Sequence, residues 1–311
     1  MRYLVIGEPC VDVIHKINGE IIHSYGGILY SVIALSVISS TNDVVVPVMN
    51  LGEDEYENIT RILSKYPNID RQFISKVVHS TRKVYLDYSL YNTDKKARFE
   101  TSTEPTYAID YKLIESALPE TDAVLVNMVS GVDINFDTME KLRESFSGFI
   151  YIDIHNLVMK TCPDGTRVHT NLENWKKWCT SADVIQMNEF EVKTLDREID
   201  NEYEIVDEVL IKSGKDVKAF VITRGINGVS CYTKRDKTFG GQSFVDLDKI
   251  DLSAIENPHF VDSTGCGDIF AASFTYDYSK NNDIKKSLHF ANRTASFATS
   301  LEGIDDLYKL R

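Results

Sequence analysis

The chain has 311 residues, 43% hydrophobic and 26% charged, the proportions of a globular protein able to bury a sizeable core. Its formal net charge of −13 argues against non-specific nucleic-acid binding and against an anionic membrane surface, yet leaves room for anionic ligands held by local backbone amides. Five scattered cysteines (Cys10, Cys162, Cys179, Cys231 and Cys266) form no CxxC pair, which weighs against a disulfide framework or zinc site and fits a reducing cytoplasm.

The elements follow from the hydrophobic pattern. Residues 2–7 are a short apolar run ended by Gly7, too short for a signal peptide, and read as a buried strand. Over 13–23, alternating apolar residues flank Asn18-Gly19, which predicts a hairpin with a type I′ turn, both central residues at positive φ. Ile28 to Ile38, bounded by Gly26-Gly27 and Ser39-Ser40, predicts a helix; 43–48 reads as a strand and 54–65 as a helix. Residues 82–101 carry Val84-Tyr85-Leu86-Asp87-Tyr88, a polar turn from Asn92 to Lys96, then Ala97-Arg98-Phe99, an antiparallel pair. The apolar runs Ala123–Val126, Phe149–Ile154, Val184–Met187 and Ala219–Thr223 look like central strands of a parallel sheet with helical patterns between them. The C-terminal part is mostly helical from Asp268 to about residue 300. No apolar stretch is long enough to span a bilayer.

This alternation implies an α/β fold, a doubly wound, mostly parallel sheet with helices on both faces, formed by a single domain over 1–311. The two β excursions, about 13–25 and 82–101, suggest a small β lid; a decorated sheet edge is the plainer alternative, and periodicity does not separate the two.

The chemistry concentrates in Asp262-Ser263-Thr264-Gly265-Cys266-Gly267-Asp268, a polar, glycine-punctuated loop opening the apolar helix that starts Ile269-Phe270-Ala271. Backbone N–H groups of Gly265, Cys266 and Gly267 are among the donors left unpaired at such a helix start, and with the helix dipole they form an anion site. Asp268 then sits at the helix mouth, placed to take a proton from an alcohol attacking a phosphoryl group. Taken alone, the same residues also make an ordinary helix cap.

The seven-residue string resembles the C-terminal signature of the ribokinase-like (PfkB) family of carbohydrate and nucleoside kinases, with Cys266 in place of the usual alanine. A helix N-terminus can lower a thiol pKa, but an inert small residue is the favoured reading of Cys266. Further matches follow the family's order. Gly7-Glu8 and Asp12 resemble its opening strand and sugar-binding aspartate. Gly26-Gly27 with Ser31 and Ala34 resembles its di-glycine motif, Ser31 standing where asparagine is usual, and Gly52-Glu53-Asp54 resembles its next turn. Asn188-Glu189-Phe190-Glu191 resembles its Asn-x-x-Glu motif, which organises Mg²⁺ and phosphate, often through water; a capping box is the alternative reading. Thr223-Arg224-Gly225-Ile226-Asn227-Gly228 resembles its nucleotide-side turn, and Asn292 falls on its adenine-side helix.

The resemblance implies an ATP- and Mg²⁺-dependent kinase acting on a hydroxyl, commonly a primary one, of a sugar or sugar derivative. It implies Asp268 as general base, Gly265–Gly267 as anion hole, Asp12, Gly26, Gly27 and Ser31 at the acceptor, and Glu191 near the metal. Asn188, Thr223, Arg224, Gly225, Gly228, Thr264 and Asn292 fall at the nucleotide. It leaves open a monovalent cation requirement and a homodimer through the lid. A nucleoside kinase of the same fold is one alternative, with Tyr85, Tyr88 and Tyr91 in the lid region as stacking surfaces; a non-catalytic binding protein is another. Arg82 and Arg98 offer a place for an acidic or phosphorylated sugar, unless they are merely exposed. Walker A, GxGxxG, HExxH and GxSxG sequences are absent.

Overall fold

The computed structural model describes residues 1–87, 99–196, 198–199, 201–240 and 242–310. The expected polar turn at Asn92 to Lys96, together with Tyr88, Tyr91 and Arg98, lies outside the described residues. The chain opens on β1 (Arg2–Ile6) and turns at Gly7 into the hairpin β2 (Pro9–His15) and β3 (Ile21–Gly27), which runs straight into α1 (Ile28–Ile38). The body resumes with β4 (Val44–Gly52), α2 (Tyr56–Leu63) and β5 (Ile74–Val77). After a second excursion, β6 (Arg82–Asp87) and β7 (Phe99–Ser102), come α3 (Tyr111–Ala117), β8 (Ala123–Asn127), α4 (Phe136–Ser145) and β9 (Phe149–Asp153). A short hairpin, β10 (Met159–Thr161) and β11 (Arg167–His169), precedes α5 (Trp175–Cys179), β12 (Val184–Asn188), α6 (Glu202–Asp207) and β13 (Ala219–Thr223). The long ribbon β14 (Val229–Phe239) and β15 (Gln242–Leu252) leads to α7 (Cys266–Asn281) and α8 (Ile284–Ala298).

Nine strands form one sheet in the order β15-β14-β13-β12-β9-β8-β1-β4-β5, parallel except for β14 and β15. Alternation along each strand feeds two cores. Tyr3 and Val5 of β1 pack with α1, α7 and α8, while Leu4 and Ile6 pack with α3 to α6. Burial on both faces explains why these strands read as continuous apolar runs. Helix α1 has the same character: all of Ile28 to Val37 is buried, so it sits between sheet, lid and α7 rather than on the surface. The expected C-terminal helix is two helices, because Asn282 adopts φ 50 and stops α7, and Asp283 caps α8 through the Lys286 amide.

The two excursions join as one four-stranded sheet, β3-β2-β6-β7, in which β2 runs parallel to β6. The lid is thus a single sheet built from both predicted segments. The hairpin differs from its expected turn type: Gly19 takes φ 82 but Asn18 stays at negative φ, and the connection runs from Lys16 to Glu20, closed by Lys16 N–H donating to the Glu20 carbonyl at 2.9 Å. Tyr85 faces outward from this sheet. Inward alternation puts Cys10, Asp12 and Ile14 of β2 on the same face as Arg82, Val84 and Leu86 of β6.

Phe274 fastens α7 to the sheet. It is fully buried, with its ring centroid 5.4 Å from Tyr151 of β9 and 5.8 Å from Tyr278. Phe274→Ala is expected to cost about 3–5 kcal/mol, by transfer and cavity terms together. Denaturant unfolding measures it, and a loss below about 1 kcal/mol would show that the site collapses around the gap.

Candidate active site

The parallel strands end in polar residues along one edge: Asn127 on β8, Asp153 on β9, Asn188 on β12 and Thr223 on β13. In an open α/β sheet this carboxyl edge is where ligands bind. The start of α7 faces it. Asp262 accepts hydrogen bonds from the Thr264 amide and hydroxyl at 3.1 and 3.0 Å, folding the loop over. Gly265 then takes φ 75, and a Cβ there would overlap the Tyr30 ring. No side chain caps the helix. Cys266 N–H donates to the Ser263 carbonyl at 3.2 Å, whereas the Gly265 and Gly267 amides have no acceptor among the described residues. Of the three expected anion-site amides, two are therefore free and the third is engaged in a long bond.

Asp268 is half-buried at this mouth. Asn127 Nδ2 donates to its Oδ1 and also, at 3.2 Å, to Ser31 Oγ. Ser31 in turn donates to the Asp268 carbonyl at 3.2 Å. Ser31 is wholly buried, so the expected acceptor contact is corrected: its short side chain braces the Asp268 backbone, and Asn127 meets the carboxylate. Gln186 ties the same region together, donating to Asp153 Oδ2 at 2.8 Å and to the Gly267 carbonyl at 3.1 Å, while accepting from Tyr151 Oη at 2.7 Å.

Electrostatically the site is a crowd of acids around one imidazole. Burial raises the Asp268 pKa, opposed by His155 and the Asn127 hydrogen bond. Burial also raises Asp153, with Glu191 and Asp268 adding to the rise. For His155, burial acts downward but is outweighed by the Glu191 hydrogen bond and by the charges of Glu191, Asp153 and Asp268, so its pKa is pushed up to about 9. His155 Nδ1 lies 3.4 Å from Glu191 Oε1. Burial, with the charges of Asp262 and Asp268, pushes the Cys266 thiol up to about 12.

The residues expected at the acceptor lie on β2, β3 and the start of α1. Asp12 is buried on β2, accepts from Cys10 Sγ at 3.3 Å, and fills the space a Cβ on Gly26 would take. Gly27 adopts φ 64 where β3 becomes α1. Burial raises the Tyr30 pKa, and the charges of Asp12, Asp262 and Asp268 add to the rise.

On the nucleotide side, Asn188 and Thr223 are register partners at adjacent strand ends. Asn188 and Glu191 form the reciprocal cap: the Asn188 amide and Nδ2 donate to Glu191 at 2.7 and 2.6 Å, and Asn188 Oδ1 accepts from the Glu191 amide at 2.9 Å. Gly225 (φ 52) leaves open space where a Cβ would be, and Gly228 (φ 92) packs tightly on the backbone after β15. Arg224 is turned away from the expected phosphate contact: it pairs with Glu202 at 2.6 Å and donates to Ser230 Oγ at 2.9 Å. Asn292 donates to the Ser253 carbonyl at 3.0 Å.

The free amides and open Gly225 turn fit a nucleotide phosphate chain. For Mg²⁺ the donor set is thin. Among the described residues no three His, Cys, Asp or Glu side chains converge on a metal position, and water-mediated binding near Glu191 is compatible with that. Asn127, Asp153, His155, Gln186 and Tyr30 were not picked out by sequence. Only Asn127 and Asp153 carried a local signal, a polar residue closing an apolar strand, as in Leu125-Val126-Asn127 and Tyr151-Ile152-Asp153.

The fold and the helix mouth together define a ribokinase-like α/β protein. Residues 163–308 match the model described as pfkB family carbohydrate kinase. No curated protein matches the sequence. Among solved structures, the chain is similar to fructokinase with bound ATP from Xylella fastidiosa (TM-score 0.74, 12% identity, 99% of this chain and 97% of that chain covered). It is similar to ribokinase from Thermotoga maritima (TM-score 0.71, 15% identity, 100% and 98% covered). It is also similar to a pyrophosphate-dependent kinase of the ribokinase family complexed with a pyrophosphate analog and myo-inositol (TM-score 0.73, 17% identity, 99% of both chains). The PfkB match covers just under half of the chain, in its C-terminal part, and together with the ribokinase-like fold it indicates a small-molecule kinase. Kinases of the matched family use ATP, typically with Mg²⁺, and act on small sugars or nucleosides. No helix among the described residues is long and apolar enough to cross a membrane.

The two loop glycines separate packing from anion binding. Gly265→Ala must place a side chain at φ 75 and displace Tyr30, so a loss exceeding the bare left-handed cost of about 1–2 kcal/mol is expected. At Gly267 the nearest atom to an added methyl is Gln186 Nε2 at 3.8 Å, so Gly267→Ala should be neutral or stabilising by about 0.4–1 kcal/mol. Equal destabilisation in equilibrium unfolding would refute the packing assignment.

Proposed function

We propose that the chain phosphorylates a hydroxyl, commonly a primary one, of a sugar or sugar derivative at the expense of ATP, with Asp268 as general base. The observation that carries this is the setting of Asp268, held by Asn127 beside two unpaired amides at the mouth of α7. Asp12 accepts hydroxyl hydrogen bonds and orients the acceptor. Asp268 takes the hydroxyl proton onto a carboxylate oxygen as the oxygen turns nucleophilic. Asn127 fixes which oxygen is presented, and the Gly265 and Gly267 amides face the charge that develops opposite. When bound, the nucleotide supplies the phosphoryl group and Mg²⁺ near Asn188 and Glu191 offsets phosphate charge. The lid sheet over Asp12 excludes water. A nucleoside acceptor has less support, since Tyr85 points outward.

Asp268→Asn keeps size and polarity but loses the base, so kcat is expected to fall by at least about 10²-fold with ATP affinity retained. Near-wild-type turnover with the true acceptor would remove the assignment. Because burial raises the Asp268 pKa, the active carboxylate is lost on acidification at a higher pH than for an ordinary aspartate. The same sign makes the side chain a cost to folding that grows as pH rises above its unfolded-state pKa and is complete above the native one, so Asp268→Asn should be at least as stable at neutral pH.

Asp12→Ala should raise the acceptor KM strongly, losing about 1.5–3 kcal/mol of charged hydrogen bonding while leaving nucleotide binding nearly intact. Equal weakening of both would place Asp12 outside the acceptor site. ATP with Mg²⁺ should raise the melting temperature, with pyrophosphate as the control donor; a shift with pyrophosphate alone would reassign the donor.

A further inference from the structure

Against the inner face of the lid sheet lie two arginines that the phosphotransfer chemistry does not use, one on the sheet and one on the neighbouring β11. Arg82 stands on β6 in register with Cys10, on the face that carries Asp12, and is 1% exposed. It donates to the Val129 carbonyl at 3.0 Å and to Ser102 Oγ at 3.3 Å, while its Nε is out of solvent with no partner. Among the described residues no carboxylate lies within ion-pair distance of it. Arg167, on β11, has a side chain 7% exposed and pairs through Nη1 with Glu100, whose position on β7 opposite Leu86 shares that face. Its Nε and Nη2 are buried without partners. The two guanidiniums feel each other, since the charge of Arg82 lowers the Arg167 pKa alongside the larger effect of burial.

Buried guanidinium N–H groups without acceptors cost more than neutral ones, and a fixed planar fork is matched by carboxylate or phosphate oxygens. From strand spacing, the Arg82 backbone is ~8 Å from that of Asp12 across one rung. Tyr30 is close enough to feel the charges of both Asp12 and Asp268. A molecule held by Asp12 on this face of the sheet would lie beside the arginines.

We propose that the acceptor is a polyhydroxylated molecule carrying an anionic group, carboxylate or phosphate, which Arg82 and Arg167 receive. This rests on the reading of Asp12 and Asp268 as the acceptor site. It makes the arginines specificity residues, remote from the transferred phosphoryl group.

Matched probes test it: fructose 6-phosphate against fructose, and gluconate against glucose. Binding is read by calorimetry on wild type and on Asp268→Asn, and turnover by ADP release on wild type. At least one anionic probe should bind roughly tenfold to a hundredfold tighter than its neutral parent. Which pair shows the preference distinguishes phosphate from carboxylate. The ratio should collapse towards one in Arg167→Gln and be partly kept in Arg167→Lys, with melting curves showing both variants folded; Arg82→Gln gives an independent second reading. Neutral parents that bind as tightly as the anions, a preference that survives both arginine substitutions, or no binding by either anion at millimolar concentration would each overturn the proposal. Turnover of neutral sugars without anionic preference defeats this inference and leaves the kinase assignment standing. Arginine-dependent anion binding with no ADP release from any probe does the reverse.

Discussion

Much of the site hangs on one backbone angle. Gly265 at φ 75 lets the chain turn beneath the Tyr30 ring and start α7 without a side-chain cap, so the first amides stay available. The same turn aims Asp268 at Asn127 on the end of β8. A residue with a Cβ at position 265 would push on the Tyr30 ring. The free amides of the helix mouth and the placement of Asp268 thus share one geometric condition.

The acids of the site are kept from simple repulsion by distinct means. Asp153 is buried under the Gln186 amide and pushed towards its neutral form. Glu191 is bound up with Asn188 and His155. Asp268 has a neutral partner, Asn127, and retains half-exposure. It is therefore the carboxylate best able to cycle a proton, whereas its neighbours set the field around it.

What the sequence made legible follows from burial. Strands covered on both faces read as apolar runs, and Phe149–Ile154, Val184–Met187 and Ala219–Thr223 emerge close to their predicted bounds. The ribbon of β14 and β15 was invisible because its polar outer length has no apolar alternation; cross-strand pairs such as Arg235 with Asp248 at 3.7 Å and Lys237 with Asp246 take the place of a core. Asp268 announced itself in a contiguous string. Asn127, Asp153 and His155 did not, since they meet only when separate strand ends converge. Ser31 and Arg224 show the opposite failure: motif position suggested ligands, but buried neighbours had already claimed their hydrogen bonds. Arg82, readable as an exposed arginine, is buried because it faces inward from the lid sheet.

The junction of β3 and α1 has no slack. A lid strand becomes a buried body helix at a single residue, Gly27, with φ 64 and ψ −138, and four residues later Ser31 holds the backbone of Asp268. A hinge this short works as a lever. Displacement of the small sheet that reaches Gly27 is passed along α1 towards Ser31 and Asp268, so sheet and helix mouth are mechanically coupled.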